Sequence, residues 1–301
     1  MPVRLKAWLC MAYICLAWGT SYWAIKVGVM HYPALFFGGI RQALAGLVLC
    51  GVAWAVAGRP DFSMRNLGIQ MWCGFLMLTL GKGGVTWAEQ YVPTGITAII
   101  CSLMPIFAVG MELAYYRHRK PGAAPVAGML LGTAGICLIF KNNMAVFGDV
   151  HYWLGMGAVF LATLGWAAGT LANKRNAGSR NQLFNCGLQL LFGGLFMLAI
   201  SPVTDDYSHF DLWNPSGLMS IAYLGIFCSI LAYPAYMFAL KYLPVGVATL
   251  YAYVNPLVAV VLGCVMLGES MNLSVLLAFA TILTGVFLAC RGNIERKVAL
   301  R

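Results

Sequence analysis

Long apolar segments alternate with short polar connections along the whole chain. Each segment is close to the roughly 20 residues that a helix needs to cross the hydrocarbon core of a bilayer. A spanning segment must satisfy its own backbone hydrogen bonds, and the alternating pattern of strands is absent, so we predict helices. The ten predicted spans are residues 6–29, 33–57, 67–88, 93–115, 123–140, 153–173, 182–200, 217–239, 244–267 and 272–290.

The second half of the chain repeats features of the first half at a nearly constant spacing. The pairs at spacings of 148, 150 or 151 residues are Trp18 with Trp166, Lys26 with Lys174, Gly39 with Gly187, Gly46 with Gly194, Tyr91 with Tyr242, Pro93 with Pro244, Gly95 with Gly246, Pro105 with Pro256 and Gly135 with Gly285. One match would carry little weight, but an ordered series predicts two copies of one unit. We place these units at residues 1–145 and 146–301, the second ending in a short basic tail.

The number of spans in each unit determines how the two units are related. Five spans are odd in number, so the second unit must enter the membrane from the opposite side. The sequence therefore predicts an all-α integral membrane protein with ten transmembrane helices arranged as two inverted five-helix repeats. This arrangement is typical of secondary transporters, in which the substrate site lies near the membrane midplane between the repeats.

Composition supports the bilayer as the solvent of this chain. Of its 301 residues, 61% are hydrophobic and 9% charged, whereas soluble domains contain roughly 25% charged residues. The net charge of +10 comes from short basic clusters between apolar segments, which fits membrane topology better than nucleic-acid binding. The ten cysteines are scattered without a Cys-x-x-Cys motif, so we interpret them as small apolar residues.

The distribution of basic residues predicts the orientation in the membrane. When both termini are placed on one side, that side holds fifteen of the nineteen Lys and Arg residues. The positive-inside rule then places both termini in the cytoplasm of a multi-pass protein in the bacterial inner membrane. We interpret the basic N-terminus and the apolar run after it as a retained first span and not as a cleaved signal peptide.

Several motifs resemble EamA-type proteins of the drug/metabolite transporter superfamily. The run Ala17–Lys26 resembles their first span and Arg41–Gly46 their second-span arginine motif, while Thr86–Gly95 and Tyr251–Pro256 are similar to the YedA-like exporter branch. The resemblance implies an inner-membrane exporter of amino acids, metabolites or drugs without an ATPase domain. Lys82 departs from the pattern, because a small polar residue is usual there.

Three charged residues lie inside or at the edge of predicted spans. Arg41 and Lys82 are each about two turns from the outer end of their spans, roughly 10 Å below the surface. Such residues face the bundle interior or a water-filled cavity, so they could form an electropositive wall for a carboxylate or another anionic group. Alternatively, Arg41 pairs with Glu89 or with backbone carbonyls. Glu89 itself fits a gate partner, a proton-coupling site or an interfacial carboxylate.

Aromatic residues recur every four positions in the first span. Trp18 and Tyr22 therefore share one helix face, and Trp18 lies too deep to be an interfacial anchor. The stripe fits either the wall of a substrate cavity or ordinary packing. Its recurrence at Trp166 favours the cavity.

Prolines interrupt the fourth and ninth predicted spans. Pro105 and Pro256 each remove a backbone hydrogen bond, which frees a carbonyl and permits either a hinge or a static kink. A repeat-related pair of interrupted helices points to the substrate site. Tyr251 and Asn255, just before Pro256, are therefore further candidates for substrate binding.

No enzyme, metal or phosphate-loop motif occurs in the sequence. We predict a secondary transporter, not an enzyme, that exports a small metabolite such as an amino acid by alternating access. It needs no cofactor, although proton coupling is open, and its partners are the bilayer and the substrate. Gly128 and Gly132 predict a packing face within the chain or in a homodimer. The alternatives are an importer, a facilitative carrier, a channel or an integral-membrane enzyme acting on lipid.

Overall fold

The computed structural model describes residues 1–57, 60–92, 97, 100–115, 122–140, 150–176, 181–208, 210–258, 277, 280–285 and 287–288. Every regular element in these ranges is helical. We number the helices in chain order as α1 (Val3–Val29), α2 (Ala34–Ala57), α3 (Met64–Ala88), α4 (Met104–Tyr115), α5 (Ala123–Phe140), α6 (Val150–Arg175), α7 (Gln182–Thr204), α8 (Pro215–Tyr242), α9 (Val245–Val258) and α10, with described helical residues 280–285.

Five helices in the described part of the chain are long and apolar enough to cross a membrane. They are α1, α2, α6, α7 and α8. The protein is thus an all-helical integral membrane protein, as its apolar segments predict. The count of ten spans and their inverted arrangement stay predictions, because the predicted spans 93–115, 244–267 and 272–290 lie partly outside the described ranges.

Two of the helices change from α-helical to π-helical winding in their middle. The π-helical stretch is Phe75–Gly83 in α3 and Leu224–Leu231 in α8. Glycines in Gly81–Gly84 weaken the α-helical preference of α3, and Pro234, which has no amide hydrogen, follows the stretch in α8. Such segments are rare and occur mostly at functional sites, and the first one contains Lys82.

Helices α2 and α7 pack against each other in unusually close contact through glycines. A Cβ atom built on Gly46 would lie 2.8 Å from the carbonyl oxygen of Gly187, and one built on Gly194 would lie 2.7 Å from that of Gly39. Residue numbers rise along one helix as they fall along the other, so the helices run antiparallel. Small residues permit this backbone contact, which supplies packing energy where no hydrophobic effect acts between helices.

The C-terminal end of α7 also fixes the beginning of α2. Asp205 Oδ2 accepts hydrogen bonds from the backbone amides of Leu35 (2.8 Å) and Phe36 (2.9 Å), and from Ser201 Oγ (2.7 Å). The first amides of a helix have no partner within the helix, and a carboxylate there is electrostatically favourable. Asp205 therefore holds two helices that are far apart in sequence.

Two lysines bind carbonyl groups at the C-terminal ends of neighbouring helices. Lys26 Nζ, at the end of α1, donates to the carbonyl oxygen of Glu89 just after α3 (3.1 Å). Lys174 Nζ, at the end of α6, donates to the carbonyl oxygens of Leu240 and Leu243 in and after α8, the latter at 2.7 Å. A cation at these unpaired carbonyls satisfies them and interacts favourably with the helix dipole.

Replacing Lys174 with methionine should destabilise the fold by about 1–2 kcal/mol, because α8 loses its cationic cap. We expect a lower unfolding temperature in detergent micelles, measured by thermal denaturation. Lys241→Met is the matched control, since Lys241 is exposed and its ammonium lies 5.7 Å from the Tyr242 ring. Equal unfolding temperatures of the two variants would contradict a capping role for Lys174.

A turn lies just before α4, and another turn interrupts α9. In the first case, residues 102–103 form the turn and Pro105 is the second residue of the helix that follows. In α9 the turn is at residues 249–250, and Pro256 lies six residues further along. Each proline therefore follows the break and does not coincide with it. A hinge role for Pro105 and Pro256 stays a prediction.

The Gly-x-x-x-Gly face of α5 packs within the chain. A Cβ atom built on Gly285 would lie 2.6 Å from the carbonyl oxygen of Gly128 and 2.7 Å from the backbone nitrogen of Gly132. A Cβ on Gly132 would meet the Tyr253 ring at 3.1 Å. These glycines therefore pack within the chain, which is one of the two roles that the sequence left open. Formation of a homodimer stays a prediction.

Candidate functional site

A cavity of about 100 Å³ lies between α1, α3, α4, α6 and α9. This volume is several times the roughly 10–15 Å³ that one water molecule requires. The residues around it are mostly aromatic or apolar, with a few hydroxyl, thiol and charged groups. They are Trp18, Ser21, Tyr22, Ile25, Gly81, Lys82, Val85, Cys101, Met104, Ala162, Thr163, Trp166, Tyr251 and Ala252.

The two repeat-related tryptophans meet at this cavity. Trp18 and Trp166 lie near the middle of α1 and α6, and their ring centroids are 5.5 Å apart in an edge-to-face arrangement. Trp18 Nε1 donates to the carbonyl oxygen of Cys228 (2.9 Å), which fixes the orientation of its ring. The cavity wall that the sequence predicted from this stripe therefore forms around both tryptophans.

Lys82 is the cation of the cavity. Its Nζ lies 4.5 Å from the ring centroid of Trp18 and 5.6 Å from that of Trp166, within the range of cation–π attraction. It donates no hydrogen bond to any residue that the structure describes. The ammonium is thus held by ring faces, which leaves its N–H donors available to a bound group.

Two tyrosines extend the aromatic wall. The Tyr251 ring lies 4.7 Å from that of Trp18, as the sequence expected of a cavity residue. Tyr236 contacts Trp18 at 5.4 Å, Trp166 at 6.0 Å and Tyr251 at 5.5 Å. Its hydroxyl is 2.8 Å from Thr170 Oγ1. Tyr236 was not among the residues predicted from the sequence. Its only signal there is that it lies three residues after Tyr233, on the same face of α8.

Arg41 lies beside the cavity and not in its wall. Only 1% of its surface is exposed, and its Nε and Nη2 atoms have no hydrogen-bond partner within the described residues. The guanidinium carbon is 5.8 Å from the Phe37 ring. The charge of Arg41 acts on Lys82, and both charges act on the thiol of Cys228, so the two cations lie near one another. The alternative pairing of Arg41 with Glu89 does not form.

Glu89 is fully buried near the cavity. Neither carboxylate oxygen has a hydrogen-bond partner in the described part of the chain. Its charge acts on Tyr22 and Cys101, which line the cavity, and is acted on by Lys26. Lys26 itself binds the backbone carbonyl of Glu89, as described above. Glu89 is therefore neither a partner of Lys82 nor an exposed interfacial carboxylate in this arrangement.

Asn255 bridges two helices behind the cavity and does not line it. With the amide oriented by its hydrogen-bonding surroundings, its nitrogen donates to the carbonyl oxygens of Tyr251 (3.0 Å) and Cys15 (3.2 Å). It thereby fixes the start of the helical stretch after the turn in α9. Asn255 is not a lining residue of the cavity, so its predicted contact with substrate stays a prediction. Its hydrogen bond to the Tyr251 carbonyl fits a role in orienting Tyr251.

The sequence analysis also missed small polar residues of the wall. Ser21 precedes Tyr22, and Thr163 lies three residues before Trp166 on the same face of α6. Cys101 lies within contact distance of Thr163, whose hydroxyl donates to the thiol at 3.9 Å. Helical spacing from the tryptophans could have identified the first two, but Cys101 lies on a different segment. Among the described residues, no group of three or more His, Cys, Asp or Glu could hold a metal.

An apolar helical bundle that encloses a mixed aromatic and cationic cavity is typical of the membrane-transporter class. A family model described as the EamA-like transporter family matches residues 5–141 and, a second time, residues 153–291. The chain belongs to the EamA-like transporter family. It is a membrane transporter and not an enzyme.

Named relatives cover almost the full chain. The chain is 30% identical over 280 residues to the uncharacterized inner membrane transporter YedA of Escherichia coli (strain K12), covering 92% of this chain and 88% of the relative. It is 24% identical to a probable terminal-alkyne amino-acid exporter of Streptantibioticus cattleyicolor, covering 97% and 96%. One solved crystal structure matches with a TM-score of 0.78 at 19% identity, covering 97% of this chain and 99% of that one, which shows the fold alone.

Proposed function

We propose that this protein is a secondary transporter of the inner membrane that exports a small metabolite, an amino acid or a related compound, by alternating access. The observation that carries the proposal is the position of Lys82, whose ammonium lies against the rings of Trp18 and Trp166 in the wall of the cavity. The rings provide an apolar surface for the body of a substrate, while the lysine provides polar recognition. An amino acid offers both kinds of group.

The inverted-repeat arrangement, with units at residues 1–145 and 146–301, has four kinds of support. The family model matches once in each half. Repeat-related glycines of α2 and α7 face each other across an antiparallel contact, as an axis between the two units requires. The repeat-related lysines Lys26 and Lys174 cap helices at equivalent places, α3 and α8. Those two helices also share a π-helical stretch.

A buried network of amide side chains supports closure of one end of the cavity. It joins the start of α3, the end of α6 and the start of α7, which the basic residues place on the cytoplasmic side. The bonds are Asn66 to Asn185 (3.1 Å), Gln70 to Asn66 (2.9 Å), Gln189 to Gln70 (2.5 Å) and Gln189 to Asn173 (2.8 Å). Alternating access would require these bonds to open on that side, with Pro105 and Pro256 as candidate hinges.

The remaining features of the proposal follow from sequence and relatives. Basic residues support cytoplasmic N- and C-termini, and the relative named YedA is described as an inner membrane transporter. The name of the Streptantibioticus relative supports an amino acid or a similar compound as the exported substrate. The partners are then the lipid bilayer and a small molecule, with no nucleic acid. Transport needs no resident cofactor, and protons are the candidate coupling ion.

The test uses purified protein in liposomes loaded with labelled amino acids and organic anions. We expect saturable efflux of a subset of compounds, stimulated by unlabelled substrate outside, because a carrier exchanges substrate and a channel does not. Comparing efflux and uptake under an imposed proton gradient separates an exporter from an importer or a facilitative carrier. Absence of counterflow for every compound would reject the proposal.

Trp18→Ala should lower the rate of counterflow at least about tenfold, because the desolvated cation–π contact with Lys82 and one wall of the cavity are lost. Trp23→Ala is the matched control on the same helix, since 59% of Trp23 is exposed on the bundle surface, whereas 4% of Trp18 is exposed. Both variants are first checked for a single peak in size-exclusion chromatography. Equal rates in the two variants would exclude Trp18 from the transport site.

A further inference from the structure

The repeat spacing brings two charged residues of the first half into comparison with two uncharged residues of the second. A spacing of 148 residues relates Arg41 in α2 to Gln189 in α7. A spacing of 151 residues relates Lys82 in α3 to Tyr233 in α8. If the two halves share one fold, equivalent positions hold two cations in the first half and two neutral polar residues in the second.

In the second half this pair is a closed hydrogen-bonded contact. The Tyr233 hydroxyl donates to Gln189 Oε1 at 2.5 Å. Gln189 Nε2 in turn donates to Gln70 Oε1 (2.5 Å) and to Asn173 Oδ1 (2.8 Å). Both Tyr233 and Gln189 are 1% exposed. Buried polar groups are normally paired in this way, so these two residues have a structural role and no donor left for a ligand.

In the first half the equivalent pair consists of two cations with free donors. Within the described residues, Arg41 Nε and Nη2 have no acceptor, and Lys82 Nζ donates no hydrogen bond and lies against the rings of Trp18 and Trp166. The neighbouring Gln42 accepts a hydrogen bond from Ser229 Oγ at its Oε1 (3.0 Å), while its Nε2 has no acceptor among the described residues. No carboxylate in the described part of the chain pairs with either cation. Unpaired buried charges of one sign are unfavourable, and a bound anion near them compensates for this cost.

We propose that Arg41 and Lys82 form the binding subsite for a carboxylate group of the exported substrate. This inference rests on the transporter function proposed above and specifies its substrate class as small carboxylates with an apolar or aromatic body. Lys82 binds the carboxylate from the cavity wall, and the buried guanidinium of Arg41 beside the cavity supplies a second positive charge. The aromatic residues around Lys82 receive the rest of the molecule.

The experiment compares acids with their own amides. Isothermal titration calorimetry on the purified protein in detergent uses a panel of small N-acetylated amino acids and the corresponding amides, each pair differing only in the anionic group. We expect at least one acid to bind about tenfold or more tightly than its amide, which is the contribution of a charge-assisted hydrogen bond. Equal affinities within every pair, or no binding of any acid, would overturn the proposal.

The matched variant is the double substitution Arg41→Gln with Lys82→Tyr, which installs the pair found at Gln189 and Tyr233. Because that pair is accommodated in the second half, we expect an unfolding temperature close to that of the wild type, together with loss of the preference for acids. Lys241→Met, which removes an exposed charge away from the cavity, should keep the preference. A double variant that still prefers acids would contradict the proposed subsite.

The two proposals fail in different ways. If liposomes show counterflow only of compounds without an anionic group, the transporter function stands and the carboxylate subsite is rejected. If no compound shows counterflow, the transporter function itself fails. Acid binding that is lost in the double variant, together with counterflow of the same acid, would support both.

Discussion

Replacing Gly46 with valine should abolish correct assembly of the helical bundle. A Cβ atom at this position would lie 2.4 Å from the backbone nitrogen of Leu191 and 2.8 Å from the carbonyl oxygen of Gly187. Extra methylene groups in a packed core usually cost roughly 1–3 kcal/mol, because flexible side chains can move aside. Here the contact atoms belong to the backbone of α7, so relief would require the two helices to separate along their whole interface.

Gly51→Val is the matched control for this experiment. Gly51 lies five residues further along α2, and a Cβ atom built there would meet no heavy atom within 4 Å. Fluorescence-detected size-exclusion chromatography of fusion proteins in detergent should give a single symmetric peak for Gly51→Val and aggregated or absent protein for Gly46→Val. A wild-type elution profile and unfolding temperature for Gly46→Val would show that α2 and α7 do not pack as described.

The recurrence of glycines at one spacing was visible in the sequence, but their partners were not. Gly39 and Gly46 could be related to Gly187 and Gly194 from the printed letters alone, because repeats leave a one-dimensional signal. That these glycines touch each other follows only from three-dimensional packing. The Asp205 cap on α2 was equally invisible, because residues about 170 positions apart share no local pattern.

The sequence indicated residues of the cavity where the repeat marks both members of a pair, and their contact with substrate stays a prediction. Trp18 and Trp166 were identified as cavity residues because each supports the other, and they do line the cavity. Tyr236 was missed because the spacing of 151 residues relates it to Val85, an apolar residue without the same signal. Charge and depth left the pairing of Arg41 with Glu89 as an open alternative. The direction of the two side chains, which a sequence does not give, decides against this pairing.

Glu89 combines two properties that point to proton coupling. Its carboxyl group is 0% exposed and has no hydrogen-bond donor within the described residues, an environment that disfavours an ionised carboxylate. The spacing of 151 residues relates Glu89 to Leu240. The repeat-related lysines Lys26 and Lys174 bind the backbone carbonyls of these two residues. Because leucine serves the fold equally well in the second half, the carboxyl group of Glu89 is not needed for packing.

The charged and titratable groups near Glu89 fit a site that exchanges protons as the cavity opens. Among the described residues, Tyr22 and Lys26 approach it from α1, and Cys101 approaches it from the segment before α4. Access of water from the outer side would allow the carboxyl group to ionise, because hydration and the charge of Lys26 both favour the anion. Closure would then require a proton to return.

Glu89→Leu should therefore abolish transport driven by a proton gradient while preserving the fold and substrate exchange. In liposomes, we expect the gradient to accelerate efflux from the wild type and to have no effect on the variant, whose counterflow continues because exchange needs no net proton movement. Glu89→Asp, which keeps a carboxyl group, should retain a response to the gradient. An undiminished response in Glu89→Leu would exclude Glu89 as the coupling residue. If the gradient has no effect on the wild type either, the protein is a facilitative carrier, and Arg41 and Lys82 then act in substrate binding alone.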